Sequence, residues 1–215
     1  MPKTPIVLVP HDPDWARVFE GARAAFMEAC SGYVFEVHHV GSTAIPGIAA
    51  KPVLDIMGLL RRHEDGFACV SAMAALGYEF RGEAGVSGRH YFSKGDPGRH
   101  HVHLFQFDHP EVGRHIRFRD YLRQHPKEAS AYEALKRKLA ARFGGDTRSY
   151  CDAKSELCKR IEELALAAAC DEPDPGRWNF HRRIEWTSPP WTTTTRIGRT
   201  VLSNRERRWP APGRR

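Results

Sequence analysis

HVGSTAIPGIAAKPVLDIM, residues 39–57, carries a Gly-Ser pair through a Gly/Ala/Pro-rich loop into a carboxylate flanked by apolar residues. Residues 34–40, VFEVHHV, are β-branched and apolar enough for a strand, so Gly41 and Ser42 stand where that strand ends. A helix is expected to start there. Glycine lets backbone come close to a ligand, and Ser42 and Thr43 offer hydroxyls and free amides at the positive end of a helix dipole, an arrangement that suits phosphate. Asp55 follows inside VLDIM, an interior-type strand, where a carboxylate must find a cation or hydrogen-bond donors. Each part alone reads as a chain turn and a capping acid. Together they have the layout of a nucleotidyltransferase site, in which acids on neighbouring strands hold Mg²⁺ against a nucleotide's phosphates.

This segment resembles the signature of the GrpB family, whose members are similar to nucleotidyltransferases in fold. The likeness continues through RHYFSKGDPGRHHVHLFQF (residues 89–107), IRFRDYLRQHP (116–126), YEALKRKLAARF (132–143) and DTRSYCDAKSE (146–156), and covers about residues 6–169. The resemblance implies an α+β domain with a mixed β-sheet packed by helices. Some members occur joined to an enzyme of coenzyme A synthesis, which implies a nucleotide-related role.

The chain departs from the wider nucleotidyltransferase pattern at one decisive place. Active enzymes carry a second acid two residues after the first, on the same strand face, to complete a metal pair. Here that residue is Met57, whose thioether is a poor Mg²⁺ ligand. The later strand HHVHLFQF offers His101, His103 and Gln106, followed by Asp108, in place of a third acid. Alternation puts His101 and His103 on one face, where they are candidates for a metal or for phosphate oxygens; a pair of polar residues on a wet sheet face is the plainer alternative.

Cations come next. Lys51 lies between the loop and the Asp55 strand, with Pro52 stiffening the entry, and Lys94 ends the strand that Arg89 begins; Arg119 and Lys154 lie on helices. Lys51 and Lys94 are the expected phosphate partners with Gly41, Ser42 and Thr43. His101, Arg89, Arg119 and Lys154 form the expected substrate-binding tier. Asp55 and His103 are the expected catalytic residues and ligands of Mg²⁺ or Mn²⁺.

The net charge of +7 invites a nucleic-acid reading until it is located. Residues 171–215 hold ten Arg and five acids, whereas residues 1–170 hold 23 Lys and Arg against 21 Asp and Glu, so the folded part is nearly balanced. The tail is rich in Arg, Pro, Thr and Trp without a sustained hydrophobic period and reads as mostly disordered, able at most to contact nucleic acid weakly. A chain with 41% hydrophobic residues, no apolar run of membrane length and no signal-peptide pattern reads as a cytoplasmic protein with no membrane partner. The five cysteines show no CxxC pair; Cys30, Cys69, Cys158 and Cys170 read as small core residues and Cys151 as structural.

Periodicity gives the layout of a domain over residues 1–170. An opening helix has Asp12 as its N-cap and Pro13 as its first helical residue, with Trp15, Val18, Phe19, Ala22 and Phe26 on one face. A helix over 64–76, with Phe67, Val70 and Met73 inward, precedes strands at 78–81, 89–94 and 101–107, the last two joined as a hairpin by GDPGR. Helices over 112–124, 127–143 and 150–169 close the domain; the last carries Leu157, Ile161 and Leu164 on its apolar face. The expected function is binding of a nucleotide or another phosphate-bearing small molecule at the 41–55 cleft with a divalent cation, with or without transfer. The alternative is a non-catalytic nucleotide- or coenzyme A-related binding module that has lost the second metal-binding acid.

Overall fold

The computed structural model describes residues 6–95 and 99–171. The chain divides into two compact units, Met1–Arg177 and Trp178–Arg215, and the described residues all belong to the first. The basic tail beyond Asp171 and the centre of the GDPGR turn lie outside the described residues.

Helix α1 (Asp14–Ala29) starts one residue later than expected: Pro13 instead of Asp12 occupies the cap, and the Asp12 Oδ1 atom accepts the Asp14 N–H at 2.9 Å. Trp15, Phe19 and Phe26 are buried; Val18, on the flank of that stripe, is 39% exposed. Five strands follow: β1 (Val34–Val40), β2 (Leu54–Leu60), β3 (Glu79–Phe80), β4 (His90–Lys94) and β5 (His100–Gln106). They form one sheet in the order β1-β2-β5-β4-β3, in which β2 and β5 run parallel and the other neighbours antiparallel. The mixed sheet and the β4–β5 pairing match the sequence reading.

Strand alternation sorts the residues. Val37, Leu54, Ile56, Leu60, Phe92, Val102 and Leu104 join Phe19, Phe26, Cys30, Cys69 and Met73 in the main core. Gly58 lets α1 close onto this face, because a Cβ there would stand 2.7 Å from Leu104 and 2.8 Å from Phe26. The opposite face carries Asp55, Met57, Tyr91, Ser93, His101 and His103, and the register aligns Val40, Asp55, His101 and Ser93 in one row across four strands. That row makes the site.

Three expectations change. The helix expected at Gly41-Ser42 is a single 3₁₀ turn, Ser42–Ala44, because Ile45 is extended ahead of Pro46. A turn of that length has no appreciable dipole. The helix expected over 64–76 breaks at Cys69 into α2 (Asp65–Ala68) and α3 (Val70–Ala75), leaving Phe67 59% exposed rather than inward. The third strand shrinks to two residues.

Helices α4 (Pro110–Gln124), α5 (Pro126–Phe143) and α6 (Thr147–Asp171) close the unit. The Asp146 carboxylate accepts the Ser149 N–H at 3.2 Å and its hydroxyl at 3.0 Å, which starts α6 three residues before the expected position. Ile45 and Ile48 plug into Leu122, Ala129, Tyr132 and Ile161, each burial worth about 2 kcal/mol, and so fasten the loop onto these helices. Leu164, expected inward, is 39% exposed, and Cys151, expected to be structural, is exposed. Cys30 and Cys69 are buried as expected; Cys158 is half-buried, and the Cys170 side chain lies outside the described residues.

Candidate functional site

Because Val40 pairs with Asp55, the turn that leaves β1 begins directly beside the carboxylate. Gly41 adopts φ 71° and ψ −173°, a region essentially reserved for glycine. A Cβ at Gly41 would lie 2.3 Å from Asp55 Oδ2 and 2.9 Å from its Cβ, so only glycine admits this approach. The turn and the acid are therefore in direct contact.

The other carboxylate oxygen faces two imidazoles: His101 Nδ1 stands 3.4 Å and His103 Nε2 3.7 Å from Asp55 Oδ1. Burial pushes the Asp55 carboxyl up, but the hydrogen bonding and charge of His101 and His103 outweigh it and hold the group well below the usual carboxylate range. Asp55 is an anion in the fold.

Arg89 sets the state of His103. Its Nη1 lies 3.3 Å from His103 Nδ1, and a guanidinium only donates, so Nδ1 is the acceptor and the proton of neutral His103 sits on Nε2, toward Asp55. His103 in that form donates through Nε2 toward Asp55. Two further Arg89 N–H groups go to the Glu83 and Ala84 carbonyls at 3.0 and 2.7 Å. Arg89 thus positions His103. Tyr91, with its ring 5.3 Å from His103 and 5.6 Å from His101, leads into an open groove of about 760 Å³ that also touches Arg81 and Ser93.

The other expected residues divide. Ser42 is at the cleft, its Oγ 3.3 Å from the Tyr132 hydroxyl. Thr43 is buried: it donates to the Val53 carbonyl at 3.2 Å and so accepts from His39 Nε2 at 3.0 Å, bracing the loop and leaving no hydroxyl for phosphate. Arg119 is likewise a brace. It donates to the His39 carbonyl at 2.9 Å and to Asp120 at 2.7 and 3.1 Å. Lys94 pairs with His100 and lies over the Tyr78 ring at 5.1 Å, on the sheet face opposite Asp55, because it is one residue out of step with Ser93. Gln106 also turns away and accepts the His63 N–H at 3.1 Å. Lys51 and Lys154 remain near the cleft, 5.3 and 5.4 Å from the Tyr150 ring centroid.

Sequence reading missed Lys136, which is 2% exposed and donates to the Ala49 carbonyl at 2.6 Å beneath the loop. The signal was a lysine inside the buried stripe of α5, four residues after Tyr132 and three before Leu139.

Among the described residues no group of three or more His, Cys, Asp or Glu side chains is arranged to hold a metal ion. Asp55 is the one carboxylate of the row, and Met57, fully buried, occupies the place of a second. This donor set does not fit a resident two-metal centre. It fits a hard cation that arrives with phosphate oxygens and needs a single protein carboxylate.

The sequence pattern of the family described as GrpB protein matches residues 5–164, a span that holds every residue of the cleft. The chain belongs to the GrpB family. Within that family it is similar to UPF0157 protein YqkA of Bacillus subtilis (strain 168), 38% identical over 165 residues that cover 76% of this chain and 48% of that protein. The chain thus spans about half the length of that relative. A solved structure titled "Crystal structure of conserved protein GrpB from Enterococcus faecalis" matches with a TM-score of 0.72 at 35% identity, covering 76% of this chain and 99% of that one. A more distant relative, a dephospho-CoA kinase of Mycolicibacterium paratuberculosis, is 27% identical over 178 residues, covering 71% of this GrpB-family chain and 44% of that protein. Among the described residues no helix is long and apolar enough to cross a membrane.

Proposed function

We propose that the cleft between the 41–44 turn and Asp55 binds a nucleotide or another phosphate-bearing small molecule. The observation that carries this reading is the contact of Gly41 with Asp55, which brings the glycine backbone of the turn, one residue before the Ser42 hydroxyl, against an ionised carboxylate. A carboxylate repels phosphate unless a cation stands between them. Asp55 is the residue to hold Mg²⁺ or Mn²⁺ delivered with the phosphates, and the ion when bound would neutralise phosphate charge. The chain's own groups do the rest: Gly41 and Ser42 cradle the anion, Lys51 supplies positive charge, and His101 and His103, both facing Asp55, hold its carboxylate in place.

The distant relationship to a dephospho-CoA kinase supports a nucleotide-type ligand. Met57 favours a second reading, binding without turnover, since the acid that would complete a metal pair is absent from β2. Titration calorimetry with ATP, CTP and coenzyme A, each in Mg²⁺, Mn²⁺ and chelator, tests the binding. Cation-dependent binding that Asp55→Asn abolishes supports it; no binding of any of the three removes it. Turnover assays on a ligand that binds then separate transferase from module.

A further inference from the structure

We infer that Lys51, Lys136 and Lys154 form a seat for a chain of two or more linked phosphates. This deepens the proposed phosphate-binding reading and rests on it. The three lysines come from three elements: the loop before β2, helix α5 and helix α6. Lys51 and Lys154 sit half-buried over the same Tyr150 ring, and Lys136 lies over Tyr132, its Nζ 4.6 Å from the ring centroid. The Tyr132 hydroxyl in turn reaches Ser42, which joins this group to the Gly41 turn.

None of the three ammonium groups is paired with a carboxylate among the described residues, and the Ala49 carbonyl is the one hydrogen-bond acceptor any of them meets there. An ammonium has three donors, and an unpaired charge held out of water is costly. Burial lowers the proton affinity of Lys51 and Lys136, and the Lys154 charge lowers both further; burial acts on Lys154 too, but Tyr132, Cys151, Cys158 and Tyr150 around it outweigh that and keep it protonated. Folding into this arrangement places three like charges around two tyrosines, and an anion relieves it. A single phosphate monoester brings roughly −2 at neutral pH, less than the group can neutralise, whereas two or more linked phosphates match it. Lys51 and Lys154 touch the anion; Lys136, at 2% exposure, acts from beneath through its field and by fixing the Ala49 carbonyl.

The test is calorimetry of the full chain in Mg²⁺ with inorganic tripolyphosphate, pyrophosphate and orthophosphate, alongside ATP and adenosine. Tripolyphosphate should bind at least about tenfold more tightly than orthophosphate, and Lys51→Met or Lys154→Met should each weaken it about tenfold or more. Lys136→Met should weaken it while melting as cooperatively as the parent. If ATP binds no more tightly than tripolyphosphate, the phosphate chain is the determinant in either source. Orthophosphate binding as tightly as tripolyphosphate, or ATP binding that depends on Asp55 yet ignores Lys51→Met and Lys154→Met, overturns the seat and leaves the cleft standing. Absence of binding by every phosphate in Mg²⁺ overturns both.

Discussion

Gly41 and Asp55 are packed backbone against carboxylate, 2.3 Å being all that a methyl group on Gly41 would find before Asp55 Oδ2. The contact follows from register, since Val40 and Asp55 are paired across β1 and β2 and the chain must leave β1 at the next residue. Gly41→Ala meets two penalties, the φ of 71° and the collision with Asp55. It should destabilise the protein by about 1–3 kcal/mol in urea unfolding and abolish ligand binding. An alanine variant with unchanged stability would show that the turn is not held as described.

Asp55 gives a pH signature. Its folded carboxyl is held below the ordinary carboxylate range by His101 and His103 against the opposing effect of burial. Its contribution to stability is therefore fully present above the unfolded value near about pH 4, and is lost as the pH falls through the folded value. The stability difference between the parent and Asp55→Asn should shrink from about pH 6 to about pH 3. A difference that stays constant across that range would contradict the imidazole pairing.

The fold was legible where periodicity was strong. The strands at 34–40, 90–94 and 100–106, the α1 stripe and the three closing helices follow from alternation, apolar spacing and caps. The convergence of loop and acid was legible too, because a strand, a short loop and a second strand leave few places for Asp55. What failed was local. Pro46 stopped the helix expected after Gly41, and one step of alternation sent Lys94 and Gln106 to the far face. Thr43 and Arg119 carry ligand-type groups, but tertiary hydrogen bonds engage them within the fold. Lys136 was overlooked because a lysine is ordinarily assigned to solvent.

Arg89 fixes the tautomer of His103 by donating to Nδ1. Nitrogen-15 spectra of the parent should show neutral His103 protonated at Nε2, and Arg89→Leu should admit the Nδ1-protonated form. The variant also loses bonds to two carbonyls, a cost of about 2 kcal/mol in unfolding experiments. Nδ1 protonation in the parent would contradict the Arg89 pairing.

Lys136 should report on itself through alkaline stability. Burial lowers its proton affinity to a value of about 8, against about 10.4 in the unfolded chain. The unfolded state then binds more protons between these values, so the parent gains stability relative to Lys136→Met as pH rises from about 8 to about 10, by about 2–3 kcal/mol. Urea unfolding of both proteins across that range measures it. A flat difference would mean that Lys136 carries no unusual burden of charge.

Phosphate binding as proposed for this fold depends above all on the Gly41 turn. Amide proton–nitrogen spectra of the labelled protein, titrated with ATP and Mg²⁺, address that residue by residue. Saturable shifts at Gly41, Ser42 and Lys51, lost in Asp55→Asn, are the predicted result; shifts confined to other surfaces, or none, would contradict it.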